Sequence, residues 1–171
     1  MNTEAALPSI EILDKQRHDR ESFSCGSQAL DLYLRRQASQ DVEKRAAVVY
    51  VAVFNLPTIA GFYTLSQFSV ELANLSEANA RRLARYPFVS ATLIGRLAIA
   101  RSLQGRGLGK SLLFDALWRS LEQSRFLASA GVVVDAKDEN AETFYQRYGF
   151  TSILNVKHRL FLPMRTIEQM F

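Results

Sequence analysis

The stretch that most restricts this chain is residues 92–113, TLIGRLAIARSLQGRGLGKSLL, where an apolar run enters a glycine-rich turn and leaves as a helix. Leu93, Leu97 and Ile99 share one side of a period-two pattern, and Ile94, Ala98 and Ala100 share the other. Both faces are mostly apolar, so the run predicts an interior strand. Downstream, Leu108, Leu112 and Ala116 fall on one helical stripe, with Leu113, Leu117 and Leu121 beside it. Between strand and helix, residues 104–109 read Q-G-R-G-L-G. Glycines at alternate positions let backbone approach a ligand with no Cβ in the way. They also leave N–H groups unpaired at the positive end of a helix, where a diphosphate can sit.

Register separates the readings of that turn. A Walker A loop needs glycine five residues before the Gly of Gly109-Lys110-Ser111, and Gln104 stands there. A dinucleotide fingerprint needs G-x-G-x-x-G, whereas Gly105, Gly107 and Gly109 give G-x-G-x-G with no acidic ribose partner about 20 residues further on. What fits is Q-x-x-G-x-G after an apolar strand. For the hexapeptide alone, an ordinary strand-turn-helix connection remains open.

At 171 residues, 48% of them hydrophobic, the chain is long enough for one domain with a real core and short for two, so one domain is expected over 1–171. A formal charge of +4 favours an anionic partner without choosing between a nucleotide, RNA and an acidic protein. Cys25 is the only cysteine, which excludes an intrachain disulfide and a cysteine-based zinc cluster and suits a reducing compartment. His18 and His158 are the only histidines, neither in a motif that supports a triad or a metal site, and no metal is expected. The first twenty residues lack a charged start followed by an apolar block, and no apolar run approaches the ~20 residues of a membrane span. A soluble, cytoplasmic protein is expected.

In chain order, residues 8–13 read as a first strand and residues 23–45 as a helix with Leu30, Leu34 and Ala38 on one stripe, opened by Gly26 and Ser27. Residues 46–54 and 59–72 form a hairpin across a turn containing Pro57. Residues 74–86 read as a helix whose polar side carries Arg81, Arg82 and Arg85, ended by Pro87. After the central strand and glycine turn, a helix runs to about Ser124. GVVVD at 131–135 suits a buried strand, and AETFYQRYGF at 141–150 a short helix stopped by Gly149. Residues 151–164 offer one or two more strands. The order is mixed α/β with a central parallel pair at the turn.

Two motifs together point to a family. Q-x-x-G-x-G at Gln104, Gly107 and Gly109 resembles the pyrophosphate loop of the GNAT superfamily of acetyl-CoA-dependent N-acetyltransferases. About 32 residues later, Ala141, Tyr145, Gly149 and Phe150 match the A-x-x-x-Y-x-x-x-G-F pattern common in that family. Asparagine is usual three residues before the alanine, and Asp138 stands here instead. More narrowly, FSCGSQALDLYL, IAGFYTLSQFSV, IGRLAIARSLQGRGLG and VVVDAKDENAETFYQRYGF are similar to the GNAT toxins of bacterial toxin-antitoxin modules. The resemblance implies a GNAT fold: a mixed sheet with helices on both faces and a parallel pair splayed at the acetyl-CoA site. It implies acetylation of the α-amine of aminoacyl-tRNA, which blocks translation, a ribbon-helix-helix antitoxin and a homodimer. By motif position, the backbone of Leu97, Ala98 and Ile99 receives the pantetheine and thioester. Gln104, Gly105, Arg106, Gly107, Leu108, Gly109 and Lys110 receive the diphosphate, and Tyr145 sits at the sulfur.

The chemistry stands beside that resemblance. Acetyl transfer to an amine needs a neutral nucleophile, a polarised carbonyl and a way to receive the departing thiolate. A thiol near ~8.5 leaves partly charged, and a phenol near ~10 is still protonated at neutral pH and can donate to it. The central strand offers Arg96 and Arg101 but no carboxylate base. A lysine amine near ~10.4 needs help to lose its proton, whereas an α-amine near ~8 is already partly neutral. The missing base favours an α-amine, with Glu71 or a water relay left open as bases from elsewhere.

Rival readings remain at this stage. One is a GNAT enzyme acting on a small amine or a protein N-terminus, and another is a basic RNA- or protein-binding module without catalysis. Arg81, Arg82 and Arg85 track an RNA backbone or form a solvated face, with Arg35, Arg36, Lys44 and Arg45 as a weaker second patch. Cys25 and Trp118 read as packing residues, and Asp135 as a cap on the turn after its strand.

Overall fold

A computed structural model describes residues 6–171. Residues 1–5 of the N-terminal stretch read for a leader lie outside the described residues. Among the described residues, seven strands form one sheet in the order β1-β2-β3-β4-β5-β7-β6. They are β1 Ser9–Ile12, β2 Val48–Val53, β3 Gly61–Glu71, β4 Phe88–Ile99, β5 Gly131–Asp135, β6 Thr151–Ser152 and β7 Arg159–Pro163. β4 and β5 are the parallel pair, with Thr92 opposite Val132 and Ile94 opposite Val134. β1 pairs β2, and β5 and β6 pair β7, antiparallel. The sheet is mixed α/β, as the element order requires. The chain forms two compact units, one holding residues up to Thr64 with Leu97–Leu113, the other Leu65–Arg96 with Phe114–Phe171.

In the first unit, residues 23–45 are not the single helix that their stripe predicts. α1 spans Gln28–Leu32, a wide π turn follows at Tyr33–Gln37, and α2 spans Ala38–Glu43. Gly26, at φ +90°, stands outside the helix, and the Asp31 carboxylate accepts the N–H of Cys25 at 2.9 Å. Arg20 explains the wide turn. Its guanidinium donates to the Arg35 carbonyl at 3.2 Å and to Ser39 Oγ at 2.8 Å, supplying partners where the regular ladder is interrupted. The stripe still works: Leu34 and Ala38 are fully buried with Val49, Val51 and Phe62, each large side chain contributing about 1.5–3 kcal/mol. Phe62 meets Phe23 edge-to-face at 5.5 Å and stacks on Tyr33 at 6.2 Å. Cys25 is buried in this core, as its packing role predicts.

In the second unit, β5 is GVVVD with Val132, Val133 and Val134 fully buried. Gly131 is required by contact, because a Cβ there would lie 2.4 Å from the Leu162 carbonyl oxygen and 2.6 Å from the Phe161 ring. The expected helix over residues 74–86 is a single turn, α3 Glu77–Ala80, capped by Ser76. Beyond it the bonds tighten to Arg82 N–H on Asn79 and Leu83 N–H on Ala80, and Leu72 N–H on the Pro87 carbonyl ties the two ends of the segment together. A longer helix could not return the chain to that bond within so few residues. Leu83 packs against the core of Val70, Val89, Ala91 and Phe161. α5 covers Glu139–Gln146, and an unforeseen α6, Met164–Glu168, follows β7 and buries Ile167.

Helix α4, Leu108–Ser124, joins the central strands. Leu108, Leu112, Leu113, Ala116, Leu117 and Leu121 are all buried, the double stripe read from sequence. Trp118 is not the packing residue expected: it is 46% exposed, on the flank of α4 shared with the Asp115–Arg119 ion pair.

Candidate active site

The glycine turn belongs to the first unit. β4 ends at Ile99, and the chain is then held by Ala100 N–H on the Ala60 carbonyl and Arg101 N–H on the Ser24 carbonyl, both at 2.8 Å. A 3₁₀ turn, Arg101–Leu103, delivers Gln104. The Gln104 side-chain amide donates to the carbonyls of Cys25 at 2.8 Å and Ile99 at 3.0 Å. Gln104 therefore commits its amide N–H groups to fixing the turn. Gly105 and Gly107 have φ of +76° and +83°, a region L side chains avoid, and nothing lies within 4 Å of where their Cβ atoms would stand. That open cradle fits a diphosphate. The first bond of α4, Ser111 N–H to the Gly107 carbonyl at 3.2 Å, leaves Leu108 and Gly109 as N–H groups with no acceptor in their own helix. Arg106 and Lys110 are exposed at the same turn. Among the strand residues, Ala98 is buried and Leu97 and Ile99 half-buried. A Cβ on Gly61 would lie 2.9 Å from the Ala98 carbonyl, so β3 presses close to the end of β4.

Tyr145 belongs to the second unit. Asp138 caps α5, its carboxylate accepting the Ala141 N–H at 2.8 Å, and Glu139 and Glu142 in the first turn suit the helix dipole. The aspartate that replaces the family's usual asparagine therefore does a cap's work. Gly149, at φ +93°, turns the chain out of the helix toward Phe150. Tyr145 is 4% exposed, edge-to-face with Phe144 at 5.2 Å and Phe150 at 5.5 Å. Its hydroxyl makes no hydrogen bond with the described residues. Burial, and secondarily the charge of Asp135, push its pKa above the ordinary phenol value. The phenol is a donor throughout the physiological range.

Pairing between β4 and β5 stops at Ile94 and Val134, although both strands continue, so they part at Gly95 and Asp135. Asp135 is not the turn cap expected of it. Arg159, directly opposite in the β5–β7 register, grips both its oxygens, Nε at 2.7 Å and Nη2 at 3.1 Å. The guanidinium also lies 4.7 Å over the Phe68 ring, and hydrogen bonding to Asp135 raises the arginine's own pKa. Sequence reading missed this grip because 24 residues separate its partners. The available signal was an acid ending one apolar strand and an arginine opening another.

Arg81, Arg82 and Arg85 are exposed, but in turns beyond α3 rather than along one helical face, and Arg81 pairs with Glu77. Glu71, left open as a base, is exposed and 3.5 Å from the Asn74 amide. In the first unit, a groove of about 590 Å³ between β1 and α2 is lined by Glu11, Asp14 and Glu43 besides Lys15 and Arg17, which are paired to Glu43 and Glu11. Its carboxylates make it a poor seat for a diphosphate. No group of three or more metal-ligating side chains occurs among the described residues, and no helix there is long and apolar enough to cross a membrane.

This arrangement has relatives. Residues 87–167 match the family model of the acetyltransferase (GNAT) domain. The chain is 30% identical to a probable toxin TacT of Sinorhizobium fredii, over 99% of this chain and 98% of that protein. It is 34% identical to a tRNA-acetylating toxin of Mycobacterium tuberculosis, over 77% of this chain and 78% of the other. The solved structure of AtaT complexed with acetyl-methionyl-tRNAfMet superposes with a TM-score of 0.88 at 31% identity, covering 96% of this chain and 99% of that one. An AtaT tyrosine-to-phenylalanine variant bound to the C-terminus of the antitoxin AtaR and acetyl-CoA superposes at 0.83 and 29% identity, covering 97% and 99%. The chain belongs to the GNAT acetyltransferases.

Proposed function

We infer that this chain is an acetyl-CoA-dependent N-acetyltransferase that acetylates the α-amino group of aminoacyl-tRNA and thereby blocks translation. The observation that carries the catalytic part is the Tyr145 phenol, its ring buried and its hydroxyl kept protonated and without a hydrogen-bond partner among the described residues. It is a donor held ready for an anion.

The diphosphate of acetyl-CoA docks on residues 104–110, with the Gly105 and Gly107 cradle and the first N–H groups of α4, while Leu97, Ala98 and Ile99 offer backbone to the pantetheine. The amine nitrogen attacks the thioester carbon, the C–N bond forms, the C–S bond breaks and the electron pair leaves with sulfur. Tyr145 donates its O–H to that sulfur. Because its pKa lies above ~10 and a thiol's near ~8.5, the proton stays on the phenol oxygen as the thiolate departs. The proton that neutralises the thiolate comes from nitrogen, made acidic by the attack. Atoms balance as amide plus free thiol. No carboxylate base stands on β4, which suits an α-amine near ~8 that is already partly neutral.

The substrate rests on the tRNA-acetylating toxin relative and on AtaT's complex with acetyl-methionyl-tRNAfMet, and the toxin role is supported also by the TacT relative. Arg81, Arg82 and Arg85 are proposed to track its phosphates. The AtaR complex supports an antitoxin partner. We propose one of ribbon-helix-helix type, a toxin acting as a homodimer, a single catalytic domain over the whole chain, and a cytoplasmic site of action, where charged tRNA is found.

Incubation with labelled acetyl-CoA and total charged tRNA, followed by identification of the labelled species, tests the reading. Label on the amino acid of a tRNA supports it. Label only on small amines or protein termini overturns the substrate.

A further inference from the structure

The parting of β4 from β5 places one carboxylate where the strand pair opens. Asp135 is the only ionisable residue of the otherwise apolar β5, its side chain is 38% exposed, and it comes one residue past the last paired position, Val134. An ion pair is by itself weak evidence of a stabilising role, since well-packed apolar residues often serve as well in its place. Of the other carboxylates at α5, Asp138 caps the helix, Glu142 pairs with His158 Nδ1 at 2.8 Å, and Glu139 is exposed in the first turn.

We propose that Asp135 is the carboxylate that receives the α-ammonium of the incoming aminoacyl group and that Arg159 is its positioning residue. The proposal rests on the aminoacyl-tRNA reading above and names a contact within it. Arg159 occupies one acceptor site on each carboxylate oxygen, and a carboxylate has about four. The remaining ones are open to an ammonium donor. The arginine is itself fixed by its register opposite Asp135 and by the Phe68 ring, so the carboxylate does not have to reorganise when substrate arrives. Arg159 from β7 donates to it, and Tyr145 from α5 feels its charge. A second observation agrees: the charge of Asp135 reaches the Tyr145 phenol, so the carboxylate and the hydroxyl that serves the thiolate share one neighbourhood.

The contact captures substrate but opposes attack, because a carboxylate favours the charged amine. The ammonium proton must pass to solvent before nitrogen attacks, and Asp135 sets the pH at which this happens. Steady-state kinetics of wild type and Asp135→Asn with a purified aminoacyl-tRNA, over about pH 6 to 9, separate this from a structural clip. The expected result is a KM for aminoacyl-tRNA raised about tenfold at neutral pH, an unchanged KM for acetyl-CoA, and a rate midpoint moved to lower pH. As a check that needs no variant, wild-type affinity for aminoacyl-tRNA should weaken as pH rises through ~8, while affinity for the matching α-hydroxyacyl-tRNA should not. Equal pH dependence for the two ligands, or an unmoved KM and midpoint in the variant, overturns the role of Asp135. Absence of transfer to any aminoacyl-tRNA by wild type overturns the functional reading instead.

Discussion

The side-chain amide of Gln104 donates to the backbone carbonyl of Cys25, 79 residues earlier, at 2.8 Å. The glycine turn is thus built from two distant parts of the chain, and its shape depends on a residue whose amide N–H groups already have partners within the protein. Gln104→Ala should weaken acetyl-CoA binding about tenfold by releasing the turn, with little change in the rate of the bound complex. Calorimetric titration with acetyl-CoA checks this, and unchanged affinity would show that the turn holds itself.

Two glycine substitutions should fail differently. Gly107→Ala forces a Cβ into a left-handed conformation at about 1–2 kcal/mol and fills the cradle, so acetyl-CoA affinity should fall more than stability. Gly131→Ala drives a Cβ against the Leu162 carbonyl and should cost about 1–3 kcal/mol or more in denaturant unfolding, with the folded fraction still binding acetyl-CoA.

Tyr145 sets a pH dependence of stability. Unfolded, it ionises near ~10; folded, burial and Asp135 hold its proton to higher pH. Above ~10 the unfolded chain therefore binds fewer protons than the native one, and stability falls as pH rises. The contribution is fully present below ~10. Melting temperatures from about pH 8 to 11 should fall more steeply for wild type than for Tyr145→Phe, and parallel curves would contradict the assigned burial of the phenol.

The sequence carried most of the frame because its signals were local. The two-sided apolar pattern before Gln104, the stripes of α4 and the GVVVD run each follow from neighbours a few residues apart, and the structure realises all of them. What escaped depends on partners far along the chain. The π turn at Tyr33–Gln37 depends on Arg20, the shortness of α3 on the bond from Leu72 to Pro87, and the state of Asp135 on Arg159. Periodicity saw a helix at 74–86 because Leu75, Leu83 and the arginines are spaced for one, but it cannot see that the chain must turn back.

The arginines of that segment keep their charge and exposure although the helix is short. Replacing Arg82 and Arg85 by Glu should weaken tRNA binding and reduce the slope of affinity against salt by about one for each phosphate left unneutralised, with acetyl-CoA affinity unchanged. Arg81, paired with Glu77, should matter less. A salt slope equal to wild type would remove this patch from the RNA path.

The most direct test of the catalytic account is single-turnover acetyl transfer to aminoacyl-tRNA by Tyr145→Phe, with acetyl-CoA affinity measured on the same preparation. Removing the one hydroxyl should slow transfer by about 10²-fold or more while the cofactor binds as before. Transfer at the wild-type rate would contradict the role given to Tyr145 as donor to the departing thiolate.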